Sequence, residues 1–371
     1  MSDDEADPEL LALIRQSLGL GPTTSTAPPN TGVLKSAEYI CDNAIDVSIS
    51  MSGTKAAAHT VWQLMQKKGY STQTWSEHEL HPQTKDEATV NFIFTMNLLN
   101  FSFWSELPAD QRFAVDYKDR TWTGYWSLVA ALQRALDEGI SITTPSFWQD
   151  IDACPDTLLA HVFRSATAEP IPLLEERISI LREAGKILCR DFESSPATLI
   201  KQADHSASLL VILLVQHFPN FQDEATFQTR QVHLYKRAQI MVADLWACFN
   251  GVSYGEFWDI GSLTMFADYH IPQMLQSLNC LWYSPRLESR IARLEMLEPG
   301  ETAEVEIRGC SIWCVELLRR QIESMYPESK ARLNAVLIDF FLYDTCKEME
   351  ARGEIDDEKI LPHHRTRSIY Y

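Results

Sequence analysis

LLEERISILREAGKILC, Leu173 to Cys189, followed by LIKQADHSASLLVILLVQHF, Leu199 to Phe218, decides the fold class. The first stretch repeats Leu and Ile at three- and four-residue intervals, the spacing that gathers apolar side chains on one helix face. Glu175 and Glu176 fall in its first turn, where the helix dipole favours negative charge. The second stretch is apolar on most faces, which predicts a central, buried helix.

Working outward, Trp126 to Leu136 has the same helical spacing and stops near Gly139. Thr144-Pro145 and Cys154-Pro155 each read as a cap followed by Pro at the first helical position. Gln231 to Asn250 reads as a helix stopped by Gly251, and Ser284-Pro285 opens another that ends near Gly300. Gly309 to Met325 and Ser329 to Arg352 complete the series. Val47 to Ser50 and Thr302 to Arg308 alternate as strands do, while Phe92 to Phe103 fits a buried strand or a helix. The expected architecture is one large, mostly α domain with a small β element. Before it, Asp7 to Leu20 fits a short amphipathic helix, but GPTTSTAPPNTG (Gly21 to Gly32) buries too little to offset its ordering entropy. Residues 1–32 are therefore expected to be a mobile N-terminal extension, and 33–371 the domain. The basic, aromatic tail His363 to Tyr371 is expected to pack back onto the body.

Charge excludes one class of partner. The 371 residues carry 51 acidic and 32 basic side chains, a net −19. Duplex nucleic acid needs a basic face to displace counterions, so such binding is not expected. A small anion held by two or three cations stays open. The eight cysteines form no CxxC pair, which argues against structural zinc and a disulfide framework and for a reducing compartment. The acidic N-terminus lacks the basic start of a signal peptide. The longest apolar run, Leu209 to Val215, is too short to span a bilayer. The expectation is a soluble protein of the cytoplasm, with the nucleus left open as a second compartment. No phosphate loop, nucleophile elbow or zinc-protease motif occurs, which leaves acid and base work by side chains. No metal and no organic cofactor is expected.

Three clusters stand out. In LTMFADYHIPQ, Leu263 to Gln273, Asp268 sits among apolar and aromatic neighbours, where burial raises a carboxyl pKa unless a cation compensates. A helix-capping Asp beside a Pro-containing turn explains the pattern equally. In LIDFFLYDTC, Leu337 to Cys346, Asp339 and Asp344 lie about 140° apart around a helix. They either line an aromatic pocket or simply meet solvent and basic partners. In TRQVHLYKRAQIMVADLW, Thr229 to Trp246, the cations Arg230, Lys236 and Arg237 either neutralise a phosphate or decorate a solvated face. His59, in KAAAHTVWQLM, is a core or surface residue on the same reading.

These clusters also carry a resemblance. NFIFTMNLLNFSFWSE, YWSLVAALQRALDEGISITTPSFW, LYKRAQIMVADLW, LTMFADYHIPQ, EVEIRGCSIWCVELLR, IDFFLYD and HRTRSIYY run in order from Asn91 to Tyr371. Together they resemble the queuosine salvage proteins, the queuosine 5′-phosphate N-glycosylase/hydrolase family. The resemblance implies a helical fold similar to the helix-hairpin-helix DNA glycosylases. It implies hydrolysis of the N-glycosidic bond of queuosine 5′-monophosphate, with queuine released for reuse in tRNA. Asp268 looks like the family's catalytic carboxylate, and Asp339, Phe340 and Asp344 like its base-recognition residues. Phe266 and His59 complete the implied pocket. Phe340 stands where relatives carry Tyr, and the glycine-rich hairpin of DNA glycosylases is absent. Arg230 and Lys236, with the tail's Arg365 or Arg367, are candidates for the 5′-phosphate. The rival readings are a glycosylase for another nucleotide and a non-catalytic helical protein that binds a nucleobase or a partner.

Overall fold

The computed structural model describes residues 29–72, 75, 77–354 and 360–371, so the expected amphipathic helix and most of the extension lie outside the described residues. The chain is mostly helical, with three two-stranded antiparallel pairs. Its N-terminal part runs α1 (Val33–Asn43), β1 (Val47–Ile49), α2 (Met51–Lys68) and α3 (Glu87–Leu99). A hairpin, β2 (Ala114–Tyr117) and β3 (Arg120–Thr123), leads into α4 (Tyr125–Asp137), α5 (Pro145–Gln149), α6 (Asp156–Val162) and α7 (Leu174–Asp191). Next come α8 (Pro196–Gln202), α9 (Ala207–His217), a second hairpin of β4 (Glu224–Phe227) and β5 (Arg230–His233), and α10 (Lys236–Cys248). The last part is α11 (His270–Ser277), β6 (Leu281–Tyr283), α12 (Pro285–Ala292), α13 (Thr302–Met325) and α14 (Ala335–Ala351). β6 pairs with β1, Ser48 opposite Trp282, and so ties the last part of the chain to the first.

The long α13 is the spine. It is buried along most of its length and packs on α1, α2 and α14. At Gly309 a Cβ would stand 2.6 Å from Ile40, so only glycine lets α1 come this close. The tail does pack back: the Trp104 indole donates to Thr366 O at 2.8 Å, and Arg367 lies 3.7 Å over the same ring. Among the described residues no helix is long and apolar enough to cross a membrane.

Several expected elements change form. Leu199 to Phe218 is two helices, not one. Asp259 accepts hydrogen bonds from Ser206 Oγ and from Ala207 and Ser208 N–H, capturing amides a continuous helix would bond internally. Asp204 and His205 take positive φ at the break. Thr302 to Arg308 opens α13 rather than forming a strand. Its alternation misleads because Glu304, Glu306 and Arg308 are as buried as the residues between them. Glu306, for instance, accepts the backbone N–H groups of Ile45, Asp46 and Val47. Residues 230–233 are a strand, and helix α10 begins only at Lys236.

Candidate active site

One cavity of about 310 Å³ opens between α10, α14 and the chain preceding α11. Each wall has a local cause. Lys236, Ile240 and Asp244 recur every fourth residue along α10 and so face it together. Asp339, Phe340, Tyr343, Asp344 and Lys347 form the corresponding face of α14. The segment before α11 is extended and pinned from three sides. Gln239 accepts Thr264 N–H at 2.9 Å, Asp339 accepts Phe266 N–H at 2.9 Å, and Arg308 Nε donates to Ala267 O at 3.1 Å. Pinned this way, the segment presents Phe266 and Asp268 to the cavity.

Asp268 fills both roles left open by its sequence. It caps α11, accepting Ile271 N–H at 2.9 Å, and it lines the cavity. Burial raises its pKa, and the Lys236 ammonium works against that rise. Burial and the neighbouring Asp268 hold Asp339 well above the usual carboxylate range. Two acids this close do not both ionise cheaply. The Lys236 ammonium counts for more at Asp268, so of the two acids Asp268 is the more readily ionised. Burial lowers Lys236 to about 8, Asp268 opposing the shift, and no carboxylate among the described residues forms an ion pair with it. Its charge is therefore available to a ligand. Asp344 accepts the Tyr70 hydroxyl, and burial raises its pKa as well. Phe266 and Phe340 stand 6.0 Å apart, ring centre to ring centre, on one wall.

Sequence reasoning missed the opposite wall. His78 stacks on Trp126 at 3.3 Å and Trp75 on His81 at 3.7 Å, with Tyr125 beside them. Leu80 N–H donates to His78 Nδ1, so a neutral His78 carries its proton on Nε2. Burial pushes His81 down to about 4. The available signal was three aromatic or imidazole side chains, Trp75, His78 and His81, at three-residue intervals within TWSEHELHP.

The structure thus brings Asp268, Phe266, Asp339, Phe340, Asp344 and Lys236 to one cavity and leaves His59, Arg230, Arg365 and Arg367 outside it. His59 lies on the exposed face of α2, 2.5 Å from the Tyr326 hydroxyl. The α2 face that turns inward is instead Ala57, Ala58, Val61 and Trp62, which seals the core. Arg230 is exposed on β5, stacks over Tyr39 at 4.6 Å and does not line the cavity. Arg367 is occupied by Ser102 Oγ and Trp104 O. Among the described residues, one grouping has metal-ligand spacing: His270 Nδ1 lies 3.7 Å from Cys346 Sγ and 3.6 Å from Glu350 Oε1. These three satisfy one another, and Glu350 also pairs with Lys347 at 2.8 Å.

Comparison with known proteins gives a consistent picture. The family model described as queuosine salvage protein matches residues 80–371. A protein of Schizosaccharomyces pombe is 44% identical over 349 residues, covering 91% of this chain and 99% of its own. One of Mus musculus is 42% identical, with 91% and 98% covered, and one of the bacterium Sphaerobacter thermophilus 40% identical, with 80% and 86% covered. All three bear the name queuosine 5′-phosphate N-glycosylase/hydrolase.

Proposed function

The chain belongs to the queuosine salvage protein family, and from that premise we propose how its cavity hydrolyses the N-glycosidic bond of queuosine 5′-phosphate and releases queuine. The observation that carries the reading is that one carboxylate, Asp268, faces the same aromatic cavity as a second acid, Asp339, and an ammonium, Lys236, that forms no ion pair among the described residues.

The base enters between Phe266 and Phe340 on one side and the His78–Trp126 stack on the other. Asp339 and Asp344 hold its polar edges, and hydrogen bonds to charged or strongly polarised groups are the strong ones. Queuine is a 7-deazapurine and lacks the N7 whose protonation eases the departure of ordinary purines. More of the burden then falls on stabilising the sugar. As the bond from the anomeric carbon to the base breaks, its electron pair leaves with the base and positive charge develops on the ribosyl ring. Ionised Asp268 meets that charge, by attack on the anomeric carbon or by electrostatic support while water attacks. Water supplies the hydroxyl to the sugar and, in balance, the proton to the departing nitrogen. Lys236 holds the 5′-phosphate. No step draws on a cofactor. The thiol state of all eight cysteines supports a reducing compartment, cytoplasmic or nuclear.

Base release from queuosine 5′-monophosphate, followed by chromatography for wild type and Asp268→Asn, tests the reading. Release by wild type and loss of about 10³-fold or more in the variant, with ligand binding retained, is expected. A folded wild type that binds without releasing base would overturn it and point to a binding protein. Undiminished release by the variant would move the chemistry to another acid.

A further inference from the structure

We propose that Asp244 is a positioning residue for this reaction: it fixes Trp75, and through Trp75 the His81 wall, against which the base is held. The proposal rests on the functional reading above, because it assigns the cavity to that substrate.

Asp244 is a buried acid in the cavity wall that the mechanism does not use. Its Oδ1 accepts the Trp75 indole N–H at 2.9 Å and its Oδ2 accepts Asn97 Nδ2 at 2.8 Å. Both oxygens are therefore committed, one to each side of the site. Asn97 belongs to α3 and is anchored there by donating also to Ile93 O at 3.1 Å. Trp75, by contrast, sits on a short helical stretch between α2 and α3, its own N–H donating to Thr72 O at 3.2 Å, so its indole depends on a partner from elsewhere in the chain. The carboxylate on rigid α10 is what fastens that ring to the core. Trp75 then passes its position on. Its ring stacks on His81 at 3.7 Å, its carbonyl accepts His81 Nδ1–H at 2.6 Å, and His81 Nε2 accepts the Tyr125 hydroxyl at 2.8 Å. Trp75, His81 and Tyr125 all line the cavity.

The chemistry requires an acid at this place. Two N–H donors converge on one side chain, and only a carboxylate offers an acceptor to each. An amide of the same shape must turn its NH₂ toward one of them and lose that bond. Asp244→Asn keeps the size and shape of the side chain, and burial disfavours the charge that it removes.

The test uses Asp244→Asn and Trp75→Phe, alone and together, with queuosine 5′-monophosphate as substrate. One hydrogen bond to a charged group corresponds to a rise in KM of about ten- to a hundredfold for Asp244→Asn, with kcat within about threefold. Trp75→Phe removes the same donor, so the double variant is expected to be no worse than Trp75→Phe alone. A readout free of turnover is the titration of the His81 imidazole by NMR, assigned by its absence in His81→Asn. In wild type it stays neutral down to about pH 4; in both variants, with the stack loosened, it moves toward the ordinary histidine range. An unchanged His81 titration in Asp244→Asn would overturn the proposal. So would a fall in kcat matching that of Asp268→Asn, which would place Asp244 in the chemistry. If wild type released no base, the functional reading would fail while His81 still decided the positioning role.

Discussion

Two clusters of buried charge lie side by side in this molecule, and they are built on opposite terms. In the first, Arg308 donates to both oxygens of Asp223 at 2.8 and 2.6 Å and stands 3.5 Å from Glu304. Glu304 also accepts the Tyr371 hydroxyl and Gly300 N–H, and Asp223 accepts Lys236 N–H. Burial alone would lower Arg308; the paired carboxylates outweigh it and keep the guanidinium protonated. In the second, Asp268 accepts backbone N–H groups at the start of α11 and Asp339 that of Phe266, neither acid is hydrogen-bonded to a cation among the described residues, and Lys236 has no ion-pair partner there. The first cluster is closed and the second has unspent bonding capacity turned toward a cavity. Burial of charge by itself does not locate a site. Burial without full compensation does, because the missing partner is the ligand.

The sharpest way to break this contrast is to neutralise one member of each cluster. Asp268→Asn is expected to abolish turnover while leaving the melting temperature unchanged or slightly higher. Asn still caps α11, and the substitution removes a carboxylate whose ionised form burial disfavours. Arg308→Met is expected to cost about 3–5 kcal/mol, because it strands Asp223 and Glu304 as uncompensated buried acids. Equal destabilisation by the two, read from denaturant titrations, would mean that the clusters do not differ in kind.

A second test sharpens the contrast through pH. Asp268 has a raised pKa and acts ionised, so kcat/KM falls as pH is lowered, with its acid limb above the ordinary carboxylate range. Lys236 has a depressed pKa and acts protonated, so kcat/KM also falls as pH rises through about 8. Lys236→Arg keeps the charge to higher pH and is expected to move the alkaline limb upward. A limb that stays in place would remove Lys236 from substrate binding.

How much of this was legible in the sequence follows from where each signal resides. Asp268, Asp339 and Asp344 were legible because a carboxylate among Phe, Tyr and Met is conspicuous in one dimension. α7 and α14 were legible from their period. The spine's first turns were not, because the partners that let Glu304, Glu306 and Arg308 be buried (Tyr371, the backbone N–H groups of residues 45–47, and Asp223) are tertiary, and a helix buried on both faces imitates a strand. The hairpins turn at Lys118-Asp119 and Gln228-Thr229, which lack the Asn-Gly or Asp-Gly signal, so nothing local announced them. The Trp75–His81 wall was missed for a related reason. Trp75 is hydrogen-bonded to Asp244, 169 residues away in sequence, a partner that local spacing does not reveal.

The smallest expected effect tests the boundary of the site. His59→Ala and Arg230→Ala are each expected to leave kcat/KM within about twofold of wild type, since both side chains are exposed and touch only surface partners. Neither contributes to either charged cluster, so neither can be compensating a ligand that binds in the cavity. His59 contacts Tyr326, at the end of the spine away from the Arg308 cluster, and Arg230 covers Tyr39 on α1. A tenfold loss in the His59 variant would require the exposed face of α2 to reach the substrate. That would require Trp62 and Val61 to leave the core against which they pack, and a drop in stability measured on the same sample would have to accompany it. A loss of activity at constant stability would instead place part of the substrate outside the cavity, and the contrast between closed and open clusters would no longer mark the limits of the site.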